Sequence, residues 1–396
     1  MDVFACETQN MREKAWNVLL FKHLSMLIHA QDLVYTLKEL MQTQYQKDNL
    51  EAMLALFLEA QGHPLPEHSQ TKSPSAISRF LNINPWSTRE MIRAVRSSAL
   101  QTVLKALLSF SKGRKPFLQV IIDLTTLEKR GKFKSFEDLI RVYNGKRGLH
   151  LVVVYLVIGR WRIPLNFRVW RGKGTPSPAQ LGLKLVKGLP QSLTQRFQTI
   201  ILADTAFSSV EFLEGIRRLK YHAITGLAIN RKLIDGRVLR HLHKQGQQVH
   251  LSGLKFPVTV SWYYLKRDNG KLEKRFVLST RPIKASTLKW WGKRRWQIEG
   301  WFKTVKHRFG LHRFGQGTLL GMYRWLILSV IAYLIAHWTY LHIQSASPPD
   351  WGQAAQTALE SIFPQIVVSC MLLNIERLTL LARSFGFDIH ISRCKI

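Results

Sequence analysis

Three acids stand out because the sequence around them is so basic. Asp123 follows the apolar run QVII, Asp204 follows IILA, and Glu299 lies in KWWGKRRWQIEGWFKTVKHRFG, residues 289–310. From Arg281 to Arg313 there are ten Lys or Arg and one acid, Glu299; between Asp138 and Asp204 there are eleven Lys or Arg and no acid. An Asp at the end of a strand, taken singly, is most often a turn residue or a helix N-cap. Glu299 with Arg295, four residues earlier, reads singly as an i,i+4 ion pair on a surface helix. Taken together, the three acids read as ligands for hard divalent cations. Phosphodiester cleavage without a covalent intermediate needs an acidified water and a neutralised leaving oxygen, and two Mg2+ ions about 3.5–4 Å apart supply both. Mg2+ retains several waters, so three carboxylates suffice: Asp123 bridging both ions, Asp204 on one and Glu299 on the other, with Mn2+ able to substitute. Arg295 and Lys306 fall on the same helix face as Glu299, where they would clamp phosphates.

The spacing R-x3-E-x6-K, carried by RWQIE and Lys306, resembles the signature helix of the IS4-type DDE transposases, a family of bacterial insertion-sequence enzymes. That family has a Tyr three residues before the Arg; this chain has Gly292 there, preceded by Trp290 and Trp291. IILADTAFSSVEFL resembles the segment around the family's second Asp. The residues around Asp123 resemble its first catalytic strand, and YNGKRGLHLVVVY resembles the segment beyond that strand. The resemblance runs from about Phe117 to Lys306. It implies a ribonuclease H-like core and a cut-and-paste transposase whose freed 3′-OH ends attack target DNA. Catalytic and metal-binding roles would fall to Asp123, Asp204 and Glu299. The implied partner is double-stranded DNA, at element ends and target, bound by a homodimer or larger assembly. Some members release the element through a hairpin end stabilised by a flipped base stacked on Trp. Trp262, Trp291 and Trp296, with Trp290, are the stacking candidates, although core packing is the commoner fate of any one of them.

The elements that must position these residues are legible in outline. Residues 1–112 read as helical, with a Ser73-Pro74 start and a Ser87/Glu90 capping box, and suit either a DNA-end-binding domain or a supporting bundle. From Lys115 the pattern turns to strands: Phe117 to Ile122, Leu149 to Ile158, and an alternating run over 160–170. A helix after Pro178, a strand over 199–203 and a helix–strand pair to Ile229 come next. The order β-β-β-α-β-α-β predicts an α/β fold with a ribonuclease H-like mixed sheet, its first and fourth strands adjacent, so that Asp123 and Asp204 are neighbours. Residues 230–284 read as a β-strand insertion with a turn at Asp268-Asn269-Gly270. The core is expected over 113–229 and 285–343, and a C-terminal helical region, suited to dimerisation, over 344–396.

Composition agrees with a nucleic-acid partner. The chain of 396 residues carries a formal net charge of +33 and is 46% apolar, which fits a folded, polyanion-binding protein. Arg147, Arg168, Arg171, Lys173 and Lys303 are candidate DNA contacts. Cys6, Cys370 and Cys394 form no metal or disulfide spacing, which, with no secretory pattern at the N-terminus, suggests a cytoplasmic, nucleoid-associated protein. The run Leu319–Ile343 is broken by Arg324 and His337 and reads as a buried helix rather than a membrane span. Two other functions fit the same residues: a ribonuclease H-like nuclease without strand transfer, and a non-catalytic DNA-binding remnant of an element.

Overall fold

The computed structural model describes residues 27–59, 61–107, 115–266, 270–343 and 350–392. In chain order the helices are α1 (27–39), α2 (Gln44–Glu59), α3 (Pro74–Asn82), α4 (Thr88–Leu107), α5 (Pro178–Lys187), α6 (Gln191–Thr194), α7 (Val210–Arg218), α8 (Ala285–Arg294), α9 (Gln297–His307), α10 (Leu319–Ile343), α11 (Trp351–Ile362) and α12 (Pro364–Ser384). The chain divides into two compact units, Ala99–Lys303 and the two segments Met1–Ser98 and Thr304–Ile396. The divisions fall inside α4 and α9.

The unit over 99–303 is built on one mixed sheet. Its strands are β1 (Phe117–Glu128), β2 (Ile140–Tyr143), β3 (Lys146–Ile158), β4 (Trp161–Trp170), β5 (Gln198–Ala203), β6 (His222–Leu227), β7 (Gln247–Val249), β8 (Val258–Lys266) and β9 (Leu272–Ser279). The order across the sheet is β2-β3-β1-β5-β6-β9-β8-β7, with β4 also pairing β3. The stretch β4-β3-β1-β5-β6 is the expected mixed core: β1 and β4 flank β3 and run antiparallel to it, whereas β5 and β6 run parallel to β1. β3 is apolar almost without interruption because it has β1 on one side and β2 and β4 on the other, and α5 packs on it. Ser177 caps α5 in a full capping box with Gln180, which fixes where the crossover helix begins.

Three features depart from the sequence reading. β1 does not stop at Asp123 but continues to Glu128, because β3 offers it ladder partners as far as the pair Glu128↔Gly148. The insertion, read as lying outside the core spans, joins the core's sheet: β9 pairs antiparallel with β6, so β7, β8 and β9 extend it. The single helix expected over 289–310 is two, α8 and α9, joined at Arg295–Trp296 by i→i+3 bonds from Trp296 N to Lys293 O, Ile298 N to Arg295 O and Glu299 N to Trp296 O. Such tightening is the signature of a mid-helix 3₁₀ segment and re-aims the side chains on either side of it. Asp268 and Asn269 of the expected turn, Cys6, Cys394 and the helical reading of residues 11–26 lie outside the described residues.

The other unit is helical. α10 packs against α2, α3 and α11, and α11 against α2 and α12. α10 is apolar around its whole circumference, as a helix enclosed by other helices must be. Both α10 and α12 are long and apolar enough to cross a membrane; α10 is largely buried within its unit, whereas α12 buries none of its residues. The one strong charge on α10, Arg324, is 1% exposed and donates to the carbonyls of Phe80, Leu81, Asn84 and Trp86. It therefore closes the C-terminal end of α3, where unsatisfied carbonyls carry the negative end of the helix dipole.

Candidate active site

The parallel pairing of β1 with β5 ends at Ile122↔Ala203, so Asp123 and Asp204 come directly after the last paired residues. β5 stops there and β1 runs on, which opens a gap at the carboxyl ends of the parallel strands, the usual ligand-binding edge of such sheets. Asp204 is the N-cap residue of a 3₁₀ turn, Thr205–Phe207, yet its side chain accepts no capping hydrogen bond. Asp123 lies inside a continuing strand. Neither side chain is explained by the turn or cap roles open to it from sequence. Gly226 keeps this edge tight: a Cβ there would lie 2.5 Å from Thr205 Oγ1.

Arg295, at the junction of α8 and α9, joins two of the three acids. One guanidinium nitrogen donates to Asp123 Oδ2 at 2.8 Å and another to Glu299 Oε1 at 2.7 Å. The side chains of Arg295 and Asp123 are each 13% exposed and that of Glu299 36%. Leu124 N–H donates to Asp123 Oδ1. Burial pushes the Asp123 carboxyl up to about 7 against the pull of Arg295, and the charges of Asp204 and Glu299 push it the same way. Burial works against the charge of Arg295 too, but the three carboxylates together raise its pKa. Tyr143 on β2 belongs to the same field: burial first, then Asp204 and Asp123, raise its pKa. A cavity of about 220 Å3 opens beside these groups, lined among others by Asp204, Thr225, Tyr263, Arg275, Arg295, Trp296 and Glu299.

Among the described residues no three His, Cys, Asp or Glu side chains stand close enough to share an ion as arranged. The space between Asp123 and Glu299 is instead taken by a guanidinium, whose fork suits two carboxylates at once. The donor set still fits a hard divalent cation in kind: all three groups offer carboxylate oxygen, and the buried Asp123 is left under-neutralised by one arginine.

The remaining candidates are dispersed. Lys306 is on the last turn of α9, in the part of that helix assigned to the helical unit, and Lys303 is exposed on α9. Arg168, Arg171 and Lys173 are exposed on and just after β4. Arg147 is engaged within its own unit, donating to Glu137 and to the carbonyls of Lys129 and Gly131, and so fastens the loop between β1 and β2. Trp262 and Trp291 are 6% and 5% exposed, the core-packing outcome left open for each. Trp262 packs on Phe276 beneath Lys274, and Trp291 on Phe117 and Trp290. Trp296, by contrast, is 42% exposed, stands beside the Arg295 guanidinium and lines the cavity. Tyr143, Tyr263, Thr225 and Arg275 were not singled out from sequence. They reach the site through strand pairing that short or polar-alternating segments do not announce.

No curated protein sequence matches the chain. Among solved structures, a cryo-EM structure of a piggyBac transposase synaptic complex with hairpin DNA is similar at 14% identity and a TM-score of 0.48, over 96% of this chain and 86% of that one. The family model described as "Transposase DDE domain" matches residues 115–335, a span that contains Asp123, Asp204 and Glu299. With more than half of its length matched, the chain belongs to the DDE transposase domain family.

Proposed function

We propose that the protein is a cut-and-paste DNA transposase of the IS4 type, with Asp123, Asp204 and Glu299 as its catalytic carboxylates and Mg2+, replaceable by Mn2+, as its metal. DDE transposases cleave DNA, transfer strands and use divalent metal ions. The observation that carries the reading is that Arg295 bonds Asp123 and Glu299 and lies in the field of Asp204, three acids brought from segments far apart in sequence to the end of the parallel strands. Bound there, the metal would acidify the attacking water and neutralise the leaving oxygen. Asp123 and Glu299 would hold it once Arg295 turns its fork from carboxylate to DNA phosphate, an exchange of like partners. Asp204, at the cavity edge, completes the donor set. Lys303, Lys306, Arg168, Arg171 and Lys173 supply phosphate contacts, and the exposed Trp296 is the base-stacking candidate best placed to meet a nucleotide. The unburied apolar surface of α12 offers a face for a second copy in a dimer or larger assembly on paired DNA ends, within the cytoplasmic nucleoid.

The test uses purified protein, Mg2+ and a duplex made from the DNA that flanks its own coding sequence, together with a plasmid target. Release of 3′-OH ends and then their covalent joining to the plasmid is expected. Cleavage without joining would leave a ribonuclease H-like nuclease; no metal-dependent cleavage would leave a DNA-binding remnant.

The charges set two further outcomes. With Asp123 protonated up to about pH 7, a metal must displace that proton, so apparent Mg2+ affinity should be about tenfold weaker at pH 6 than at pH 8. Calorimetric titration at the two pH values measures this, and equal affinities would count against Asp123 as a ligand. With a net charge of +33, DNA affinity should fall by roughly 10³-fold or more between 50 and 200 mM salt if six or more phosphates are contacted, read by fluorescence anisotropy.

A further inference from the structure

Gly292 stands where the signature helix is expected to carry an aromatic, three residues before Arg295. The space that its side chain would need is already taken from across the sheet. A Cβ on Gly292 would lie 3.2 Å from Val277 Cγ2 and 3.6 Å from Tyr263 Cε1, so the Tyr263 ring, on β8, passes over the Gly292 backbone. Tyr263 is the cross-strand partner of Arg275, and both line the cavity that also reaches Asp204, Arg295 and Glu299. Arg275 is steadied there by Glu273, to which it donates at 3.1 Å. At the cavity wall, Thr225 is fully buried and its hydroxyl has no hydrogen-bond partner among the described residues. A buried hydroxyl left unpaired is unfavourable unless something binds against it.

We propose that Tyr263, with Arg275, is a DNA-contact residue of this active site, supplied by the β insertion in place of the side chain missing at 292. The group it receives is the sugar–phosphate of the nucleotide next to the scissile bond. The chemistry around the cavity selects that class. Tyr263, Arg275, Arg295 and Thr225 are all hydrogen-bond donors, which suits phosphodiester oxygens. Asp204 and Glu299 at the edge repel a free, doubly charged anion, so the phosphate enters as one singly charged linkage of a bound strand. Held at this point, a nucleotide fixes which linkage faces the carboxylates, so Tyr263 sets the register of the cut. This inference rests on the transposase reading above and adds to it a residue that the signature helix does not contain.

The experiment compares single-turnover, Mg2+-dependent cleavage of the same DNA ends by the wild type, Asp123→Asn, Tyr263→Phe, Tyr263→Ala, Gly292→Tyr and the double variant Tyr263→Ala/Gly292→Tyr. Thermal melting and DNA affinity are recorded for each. Tyr263→Phe keeps the ring over Gly292 and removes only the hydroxyl; cleavage should slow about tenfold with melting unchanged. Tyr263→Ala should slow it by about 10²-fold, with cut positions scattered over neighbouring linkages and overall affinity within about threefold of the wild type. Scatter in the cut position is a readout that a purely structural ring would not move. Gly292→Tyr should crowd Tyr263 and lose activity, and the double variant should recover at least tenfold over either parent, because the phenol is then supplied from the helix. Inorganic phosphate should not compete at concentrations where duplex DNA does. Wild-type rate and cut position in both Tyr263→Phe and Tyr263→Ala, or a double variant worse than both parents, would overturn the inference while an inactive Asp123→Asn leaves the transposase reading standing. A wild type that does not cleave would sink both.

Discussion

Asp123→Asn is expected to lower metal-dependent cleavage by at least about 10³-fold while leaving DNA affinity and the fold in place, because the proposed function makes Asp123 a ligand of the metal that carries the chemistry. Asn has the shape of Asp but one acceptor oxygen in place of two, so it keeps the bond from either Leu124 N–H or Arg295 and loses the other, a local change that leaves the strand pairing of β1 intact. A second consequence separates this residue from an ordinary surface carboxylate. Burial first, then Asp204 and Glu299, hold its folded-state pKa at about 7, above its unfolded value of 3.8. Below pH 4 the carboxyl is neutral in both states. As pH rises from about 4 to 7 the unfolded chain ionises freely and the folded one resists, so stability is lost across that window and stays low above it. The shift corresponds to a contribution on the order of 4 kcal/mol. Melting curves of DNA-free protein in EDTA should therefore show Asp123→Asn gaining on the wild type between pH 4.5 and 7.5. A difference that stays flat with pH would mean that the carboxylate is better solvated than its burial indicates. Comparable cleavage by the variant would remove Asp123 from the chemistry.

Arg324→Met should be the most damaging single change in the helical unit. Among the described residues Arg324 has no carboxylate beside it; its counter-charge is a ring of carbonyls from Phe80, Leu81, Asn84 and Trp86, with the Trp86 indole 3.8 Å from the guanidinium. Burial lowers its pKa to about 10, which still leaves it charged at any physiological pH. Methionine fills much of the volume but leaves those carbonyls buried and unpaired, a loss on the order of 4 kcal/mol. Arg324→Lys should recover little, because one ammonium cannot span acceptors that a planar fork reaches together. Urea denaturation monitored by tryptophan fluorescence would show the loss, and a change under about 1 kcal/mol would mean that water replaces the guanidinium.

How much of this was legible in the sequence depends on the range of the interaction. Asp123 and Asp204 were visible because each comes after a short apolar strand in a chain poor in acid, and the order of strands then made them neighbours. Ser73, Ser177 and Asp350 cap their helices through bonds within three residues, so α3, α5 and α11 begin where local chemistry says they should. The bond from Arg295 to Asp123 spans 172 positions, and no periodicity encodes it. β2 is four residues long, too short for its alternation to rise above chance. The strands of the insertion show their period of two but not the edge they join, so the pairing of β9 with β6, and with it the seat of Tyr263 over Gly292, is set by tertiary packing that no local pattern encodes. The four tryptophans 262, 290, 291 and 296 look alike in sequence; packing alone separates the two buried rings from the two exposed ones.

The wide separation of the three carboxylates has a consequence during synthesis. Asp123 emerges from the ribosome 176 residues ahead of Glu299, which at 5–20 residues per second is a delay of roughly ten to thirty seconds. Throughout that interval the nascent chain can pair β1 with β5 but has no α9 and neither of the side chains, Arg295 and Glu299, that complete the cluster. Under the proposed function, a product truncated before residue 295 would lack both side chains and would be unarmed, however well its first strands have folded.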